Sequence, residues 1–347
     1  MVNSVLVILT AGIGDTILAT KSLRALRNTY PDADIHLLTN AQVTPLIKHL
    51  EYIDHIWSFP IREIKKDNFQ LLKIIKMIRR LRKTNFDIIM NLYRVSTLLG
   101  SFKMGLLFML LKGQKRIGHN IKGFGIFLDE KAPGNNFVNQ HFADGMMSIA
   151  ELAGVIPDNK GIEICWDIME ERKWETLYGN LLNDSKKIKI AINPGGDREN
   201  RRWNIKNYAH TANYLLDKYD AKIIILGGPG EEKIAQDLQD TISGDVINLS
   251  GKISLNELVN IISRMDLLIT NDSGPMHIAA AVKTPVVAIF GPEDPKLFGP
   301  YTSPDLYRVV QSNVDCRPCK VKNCKNPDCL DLITPEQVYN KCIELIK

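Results

Sequence analysis

The sequence predicts an α/β protein made of two doubly wound, Rossmann-like halves. Short apolar runs of strand length alternate with longer segments of helical periodicity, which is the pattern of parallel βαβ units. Each half opens with an apolar run followed by a glycine turn, at residues 11–14 and again at 194–196. Ligands of such folds bind outside the carboxyl ends of the strands, so we expect the functional residues in the loops that follow the strands.

The elements follow in order along the chain. In the first half, apolar runs predict strands over 5–10, 34–39 and 87–91, and helical periodicity predicts a helix over 16–29. The second half predicts strands over 187–193, 222–226, 246–249, 267–270 and 286–290, with helices over 205–218, 231–242, 254–264 and 276–282. We place an N-terminal domain at 1–170 and a C-terminal domain at 171–347, with the linker at 167–185 and a last helix that could pack back on the N-terminal domain.

Composition excludes several classes of protein. The 347 residues are 45% apolar and 24% charged, which is ordinary for a globular chain and excludes disordered, collagenous and solenoid proteins. The longest apolar stretch, residues 104–111, is far shorter than the roughly 20 residues that span a bilayer. The first residues read as a strand and not as a leader peptide, so we expect a cytoplasmic protein.

Positive charge is concentrated in the first half. Residues 62–122 hold 15 basic and three acidic side chains, whereas residues 181–347 hold 21 of each sign. The segment 70–83 predicts a helix with one apolar face beneath a basic one, the apolar positions being Leu71, Ile74, Ile75, Ile78 and Leu81. Such a helix suits an anionic membrane surface, and it equally suits a solvated helix docked on its own core. No motif supports a nucleic-acid partner.

The first glycine turn carries one carboxylate. Gly12 and Gly14 begin a dinucleotide fingerprint, but Ile17 stands in place of the third glycine and Asp15 would repel a pyrophosphate. A nicotinamide oxidoreductase is therefore disfavoured. Asp15 could accept a proton from an alcohol as a general base, or it could cap the following helix.

Two loops of the second half suit anionic ligands. After the strand at 187–193, Gly195 and Gly196 allow close backbone approach, and the three arginines Arg198, Arg201 and Arg202 could clamp a diphosphate or form a solvated basic loop. After the strand at 267–270, Gly274 and Pro275 open a helix whose N-terminus could bind an anion or could simply be capped. His277 could be catalytic or a hydrogen-bonded core residue. No acidic pair is placed to hold Mg²⁺ between phosphates.

Together these loops resemble glycosyltransferase family 9, the bacterial lipopolysaccharide heptosyltransferases that use ADP-heptose. The matching segments are VI at 7–8, GD at 14–15, LRALR at 23–27, YPDA at 30–33, NPGG at 193–196, RW at 202–203, LGG at 226–228, NDSGPMHIAAA at 271–281, FGP at 290–292 and CRPC at 316–319. The resemblance runs nearly from end to end, and the combination of motifs is specific although each motif alone is weak.

This resemblance implies a GT-B architecture, with two Rossmann-like domains facing a cleft, and an inverting, metal-independent transfer. It implies that Asp15 is the catalytic base. The donor site implied is Gly195, Gly196, Arg201, Arg202, Glu231, Asp272, Ser273, Gly274, Pro275 and His277, and we assign the acceptor site to Gly12, Gly14 and Arg94. One departure stands out, because Arg201 replaces the usual lysine of the family and Asn204 replaces a proline after Trp203.

The resemblance also implies the partners. They are a nucleotide-sugar donor, an acidic lipid-linked saccharide as acceptor, and the anionic inner face of the cell membrane, with the enzyme bound peripherally. The open alternatives are a nucleotide-sugar epimerase of the same architecture and a non-catalytic nucleotide-sugar binding protein.

Four cysteines crowd the C-terminal region. Cys316, Cys319, Cys324 and Cys329 have a spacing that could hold zinc or an iron–sulfur cluster. Only Cys316 and Cys319 form a C-x2-C pair, whereas structural four-cysteine zinc sites usually have two. The resembled family carries these cysteines without a catalytic metal, so we expect no cofactor and no bound metal.

Overall fold

The structure, a computed structural model, divides into two compact units, Met1–Cys165 and Trp166–Lys347. It describes residues 1–59, 68–166, 172, 176, 178–179, 187–319, 321, 324 and 327–346, with the side chains of 68–71 left aside. The domain border predicted at 170–171 and most of the linker predicted at 167–185 lie outside the described residues.

The first unit contains a six-stranded parallel sheet. Its strands are β1 (Ser4–Leu9), β2 (Asp34–Asn40), β3 (His55–Phe59), β4 (Phe86–Asn91), β5 (Gly113–Asn120) and β6 (Glu130–Pro133). Their order across the sheet is β3-β2-β1-β4-β5-β6, and every pair is parallel. The central strand β1 is buried on both faces, as is typical of a parallel sheet covered by helices on both sides.

Helices cover both faces of this sheet. They are α1 (Ile13–Thr29), α2 (Thr44–Ile47), α3 (Asn68–Thr84), α4 (Leu98–Leu110) and α5 (Phe142–Leu152). Helix α1 packs against α5. Leu81 and Met77 of α3 share a core with Met104 and Phe108 of α4, so these two helices lie on the same face of the sheet.

Two expectations for the first unit need correction. Helix α1 begins at Ile13, three residues before the predicted start, so Gly14 belongs to its first turn and not to the preceding loop. In α3, Ile74 and Leu81 are buried as predicted, but Ile75 is exposed. A 3.6-residue period carries Ile75 about 100° away from Ile74, beyond the part of the helix that the sheet covers.

The second unit repeats the same architecture. Its strands are β7 (Ile188–Asn193), β8 (Ala221–Ile225), β9 (Val246–Asn248), β10 (Leu267–Asn271), β11 (Val286–Phe290) and β12 (Tyr307–Gln311), in the order β12-β11-β10-β7-β8-β9 and all parallel. Counted from the first strand of each unit, both sheets have the Rossmann order 3-2-1-4-5-6. The prediction of two doubly wound α/β halves is thereby confirmed.

Helices pack on the sheet of the second unit. They are α6 (Ile205–Lys218), α7 (Glu232–Gln239), α8 (Leu255–Ser263), α9 (Gly274–Val282), α10 (Pro295–Phe298), α11 (Asp328–Asp331) and α12 (Pro335–Ile343). The last helix, α12, packs on α6, β11 and β12 and buries Val338 and Cys342 in the core of this unit. Among the described residues, no helix combines the length and the apolar composition that a membrane span requires.

The strand order fixes where ligands can bind. In each sheet the direction of the chain connections reverses between the first and the fourth strand, and a crevice opens there at the carboxyl ends. In the first unit the flanking loops follow β1 and β4, and in the second unit they follow β7 and β10. The loops singled out from the sequence, residues 10–15, 193–203 and 271–277, are three of these four.

Candidate functional site

The loop after β1 presents Gly12 and Asp15 at the reversal point of the first sheet. Gly12 is the N-cap residue of α1, and its carbonyl oxygen accepts hydrogen bonds from the amide (3.1 Å) and the hydroxyl (2.8 Å) of Thr16. Open space surrounds the position that a Cβ would occupy at Gly12. Asp15 is half-buried and is the third residue of α1, so it is not the N-cap residue of the helix.

The loop after β4 places Arg94 on the other side of the same reversal point. The side chain of Asn91 both donates to and accepts from the backbone of Tyr93, at 3.0 Å each. The amide of Val95 donates to Nε2 of the buried His119 at 2.9 Å. Nε of Arg94 is buried and has no hydrogen-bond partner in the described part of the chain. The sequence pointed to Arg94 but gave no signal for Asn91 or His119, which hold its loop.

His119 is uncharged in this environment. Burial lowers its pKa to about 4. The hydrogen bond to the Tyr93 carbonyl opposes this effect, and the positive charge of Arg94 adds a smaller lowering effect. A neutral imidazole keeps a lone pair, which can accept the hydrogen bond from Val95. The neutral state of His119 therefore helps to fix the backbone on both sides of Arg94.

In the second unit, buried Asn271 ties the loops after β7 and β10 together. Its Nδ2 donates to the carbonyl oxygens of Pro194 and Gly195, both at 2.9 Å. Its Oδ1 accepts from the amide of Trp203 at 2.9 Å, and the indole of Trp203 donates to the carbonyl of Ile333 at 3.0 Å. Every polar atom of the Asn271 side chain is thus engaged in holding the loop that carries the candidate donor residues.

Glu231 bridges the loops after β7 and β8. Its Oε1 accepts from the amide of Gly196 at 2.6 Å, and its Oε2 accepts from the amide of Gly228 at 2.7 Å. A Cβ added at Gly195 would lie 2.2 Å from the carboxyl carbon of Glu231, so no larger residue fits there without displacing Glu231. Gly196 has a φ of 146°, which disfavours other residues. Each carboxylate oxygen retains a lone pair for a ligand hydroxyl.

Arg201 lies between two carboxylates. Its Nη1 is 3.0 Å from Oδ2 of Asp272, a side chain that is only 6% exposed. Its Nη2 contacts Oε1 of Glu293, a residue that follows β11 and was not predicted from the sequence. Arg198 is more exposed, and its Nη1 lies 3.7 Å from the same Glu293 oxygen. The guanidinium of Arg201 is therefore held in place, with its charge balanced by acidic partners.

Arg202 has a different role from Arg201. Its Nε and Nη2 donate to the carbonyl oxygen of Gly196, at 2.9 and 2.6 Å. This bidentate contact fixes the turn that follows β7. The two neighbouring arginines therefore make different contacts. Arg201 contacts the loops after β10 and β11, whereas Arg202 stabilises the loop to which it belongs.

The N-terminus of α9 offers fewer amides than the sequence implied. Ser273 is the N-cap residue, but its side chain does not cap the helix and instead lies 3.1 Å from the hydroxyl of Thr270. Pro275 has no N–H, and the amide of Met276 donates to the carbonyl of Ser273 at 3.2 Å. The Gly274 amide and the helix dipole remain to face an anion. His277 is buried one turn further along.

The CRPC segment supports the loop that bears Glu293. Arg317 donates through Nε to the carbonyl of Gly291 at 2.8 Å, and the amide of Cys319 donates to the carbonyl of Pro292 at 2.9 Å. The thiol of Cys329 is buried, which raises its pKa.

Within the described residues, one group of three potential metal ligands lies close together. It consists of Asp34, His36 and His55, whose ligand atoms lie within 4.8 Å of one another. Trp57 donates its indole N–H to Nδ1 of His36 at 3.0 Å, so the neutral ring carries its proton on Nε2 and donates to Asp34 at 2.9 Å. That proton occupies the position a metal would need. The group also lies at the amino ends of β2 and β3, away from the loops described above.

Comparisons with known proteins agree with this arrangement. The chain is 26% identical to "Lipooligosaccharide heptosyltransferase 2" of Campylobacter jejuni over 343 residues, covering 96% of each chain. Its fold matches the glycosyl transferase family 9 structure from Veillonella parvula with a TM-score of 0.82 at 24% identity, covering 99% and 97% of the two chains. It also matches E. coli heptosyltransferase WaaC with ADP, with a TM-score of 0.74 at 16% identity and coverage of 98% and 99%.

The family assignment rests on a match to most of the chain. Residues 74–330 match the model of glycosyltransferase family 9 (heptosyltransferase), a span that runs from α3 to α11 and includes the loops after β4, β7, β8, β10 and β11. The resemblance drawn from the sequence motifs is confirmed, and with it the GT-B type of fold. The chain is a glycosyltransferase and belongs to glycosyltransferase family 9.

Proposed function

We propose that this enzyme transfers a heptose, or a related sugar, from an ADP-sugar to a saccharide of the lipopolysaccharide core. The observation that carries the proposal is the placement of the candidate residues of each unit at the reversal point of its own sheet. Heptosyltransferases with bound ADP share this fold, which supports an ADP-sugar as donor. Transfer proceeds in one displacement that inverts the anomeric carbon and requires no metal.

The second unit binds the donor. Gly195 and Gly196 let the nucleotide approach the backbone, and the free lone pairs of Glu231 accept from the ribose hydroxyls. Arg201, held by Asp272 and Glu293, faces the diphosphate together with Arg198 and the Gly274 amide. Because Asp272 and Glu293 already neutralise Arg201, recognition of the diphosphate depends on placed donors more than on net positive charge.

The first unit binds the acceptor and carries the base. The open space at Gly12 admits a sugar next to Asp15, and Arg94 pairs with an acidic group of the saccharide. Asp15 removes the proton of the acceptor hydroxyl as its oxygen forms a bond to the anomeric carbon. The bond from that carbon to the diphosphate oxygen breaks at the same time, and ADP leaves with the bonding electrons.

Replacement of Asp15 by Asn tests the base. We expect Asp15→Asn to lower kcat by about 10²- to 10⁴-fold, because a positioned base typically contributes that much, while the Kd for ADP stays unchanged. Asp32→Asn, at an exposed position just after α1, is the matched control and should keep normal turnover. Near-normal turnover of Asp15→Asn would remove Asp15 from this role.

A donor screen separates this function from its alternatives. ADP- and UDP-sugars are titrated by calorimetry, and release of the nucleotide is then followed with and without a Kdo-lipid acceptor. We expect ADP release only when the acceptor is present. Turnover of the nucleotide sugar alone would identify an epimerase, and binding without any release would identify a non-catalytic binding protein.

A basic first half fits a lipid-anchored acceptor at the inner face of the cell membrane. The 15 basic residues among positions 62–122 favour both an acidic saccharide and an anionic lipid surface. Binding to anionic vesicles should therefore weaken as salt is added, and absence of binding would leave these residues as a solvated surface.

A further inference from the structure

Helix α4 exposes a continuous apolar face. Leu98, Phe102 and Met109 are 76%, 69% and 76% exposed, and a group of exposed apolar side chains on one helix is informative where a single one is not. The exposed apolar residues of α4, here called the α4 stripe, are Leu98, Leu99, Phe102, Leu106, Met109 and Leu110.

The geometry of the helix gathers these six side chains on one side. At 3.6 residues per turn they fall within an arc of about 120°. The opposite side of α4 buries Ser101, Met104 and Phe108 against the sheet of the first unit. A helix that is apolar all round is normally buried on all sides, but α4 is covered on one side only. A second apolar partner for the α4 stripe is therefore missing from the described chain.

The surroundings of the α4 stripe are strongly basic. Residues 68–128 contain 12 Lys and Arg and a single acidic residue, Asp87. Two of the twelve, Lys115 and Arg116, form ion pairs with Glu130 and Asp129 just beyond this range, and ten remain. Asp87 accepts hydrogen bonds from the amides of Asn3 and Ser4, at 2.7 and 3.1 Å, and its single negative charge offsets only one of these positive charges. Helix α3, on the same face of the sheet, exposes Lys76, Arg79 and Arg80, and Lys103 borders the stripe on α4 itself.

We propose that α4 is a membrane-inserting helix, which places the α4 stripe among the acyl chains of an anionic phospholipid bilayer while the basic side chains of α3 contact the headgroups. An in-plane helix with an apolar face and basic flanks is the expected form of such an anchor. The 13 residues of α4 extend only about 20 Å, too short to cross the roughly 30 Å hydrocarbon core. Pairing of two copies through this face would bring basic surfaces together, so charge favours the bilayer.

This inference deepens the membrane part of the proposed function, and it can be tested without donor or acceptor. Phe102→Trp places a fluorophore on the α4 stripe, and Ile156→Trp places one at a similarly exposed site after α5, on the other face of the sheet. Both are compared with the wild-type chain, which has four tryptophans. With vesicles of phosphatidylcholine and phosphatidylglycerol carrying brominated acyl chains, we expect added quenching for Phe102→Trp and none for Ile156→Trp. Equal quenching of both, or of neither, overturns the proposal.

Two further variants separate insertion from charge. The triple variant Leu98→Gln, Phe102→Gln, Met109→Gln should lower vesicle partitioning by about tenfold or more at both low and high salt, because the insertion is apolar. Lys76→Glu with Arg79→Glu should weaken binding mainly at low salt. Circular dichroism and thermal unfolding check that each variant is folded.

Vesicle binding and the oligomeric state of the triple variant decide between a bilayer and a second copy as the partner of the α4 stripe. Unchanged vesicle binding overturns the proposal, and a wild-type dimer that the triple variant dissociates would assign the stripe to a second copy. Turnover on a soluble acceptor saccharide should be unaffected by the triple variant. If the wild-type enzyme and all variants lacked transferase activity, the proposed function would be contradicted. The vesicle-binding measurements would still test the insertion of α4.

Discussion

The carboxylate of Glu231 occupies the space into which a side chain at Gly195 would extend. Oε1 and Oε2 of Glu231 lie 2.2 and 2.4 Å from the position of a Cβ at Gly195, and both oxygens are held by backbone amides of the neighbouring loops. Gly195 and Glu231 are therefore sterically coupled, because the carboxylate of Glu231 fits in this position only when residue 195 has no Cβ.

Gly195→Ala should displace Glu231 and disturb the candidate donor site. Because the carboxylate is anchored by bonds of 2.6 and 2.7 Å, it cannot simply swing away, and we expect unfolding free energy to fall by about 1–3 kcal/mol. ADP affinity should fall by about tenfold, as measured by calorimetry. Gly161→Ala, where a Cβ meets no atom within 4 Å, is the control. In the double variant Gly195→Ala with Glu231→Ala, the loss of unfolding free energy should be smaller than the sum of the losses in the two single variants. Full additivity would contradict the coupling.

Arg201→Ala should remove the cation that holds two carboxylates. Asp272 is almost completely buried, so loss of the guanidinium removes a charge partner from a buried carboxylate and should lower the unfolding free energy by about 3 kcal/mol. Arg201→Lys restores one charge but cannot contact Asp272 and Glu293 through a planar fork, so its ADP affinity should lie between wild type and Ala. Denaturant unfolding and calorimetry measure both effects. An Arg201→Ala enzyme with wild-type stability and ADP affinity would show that the ion pairs are incidental.

His119 should make the first unit less stable at mildly acidic pH. Its pKa is about 4 in the fold against an ordinary value of 6.5, so the unfolded chain binds the proton first as pH falls. The stability contributed by the neutral imidazole is present above pH 6.5 and is lost as pH falls towards 4, by up to about 3 kcal/mol. His119→Gln can accept from Val95 without titrating, and it should flatten this slope. Burial also lowers the pKa of His36, which adds a pH dependence of its own. Because both proteins contain His36, the difference in unfolding free energy between the variant and the wild type isolates the effect of His119. If His119→Gln left the pH dependence of the unfolding free energy unchanged, His119 would not be the source of the acid sensitivity.

The purified enzyme should contain neither zinc nor iron in stoichiometric amounts. The four cysteines form a single C-x2-C pair, whereas structural four-cysteine zinc sites usually have two. Elemental analysis of protein prepared without chelators measures the content. One metal ion per chain, lost in a variant with Cys316→Ser, would contradict the expectation and locate the site.

Much of the fold could be predicted because buried parallel strands carry a strong signal. The predicted bounds of α6 and β11 agree with the structure at every residue, and the other predicted strands agree within two residues at each end. Four strands were missed, namely β3, β5, β6 and β12. Three of them lie at sheet edges, and β5, with the sequence GQKRIGHN, is largely polar. Their pairing comes from backbone hydrogen bonds, which leave little trace in side-chain pattern.

The sequence by itself determined the α/β class, the repeated strand-and-glycine-turn plan, the family, and the loops in which the candidate residues lie. Only the tertiary structure decided which side chains meet. Glu231 binds the Gly196 amide from 35 residues away, and Arg201 contacts Glu293 across 92 residues. The physical reason is the strand order of the second sheet, which brings the carboxyl ends of β7, β8, β10 and β11 side by side and so joins loops that are distant in the chain.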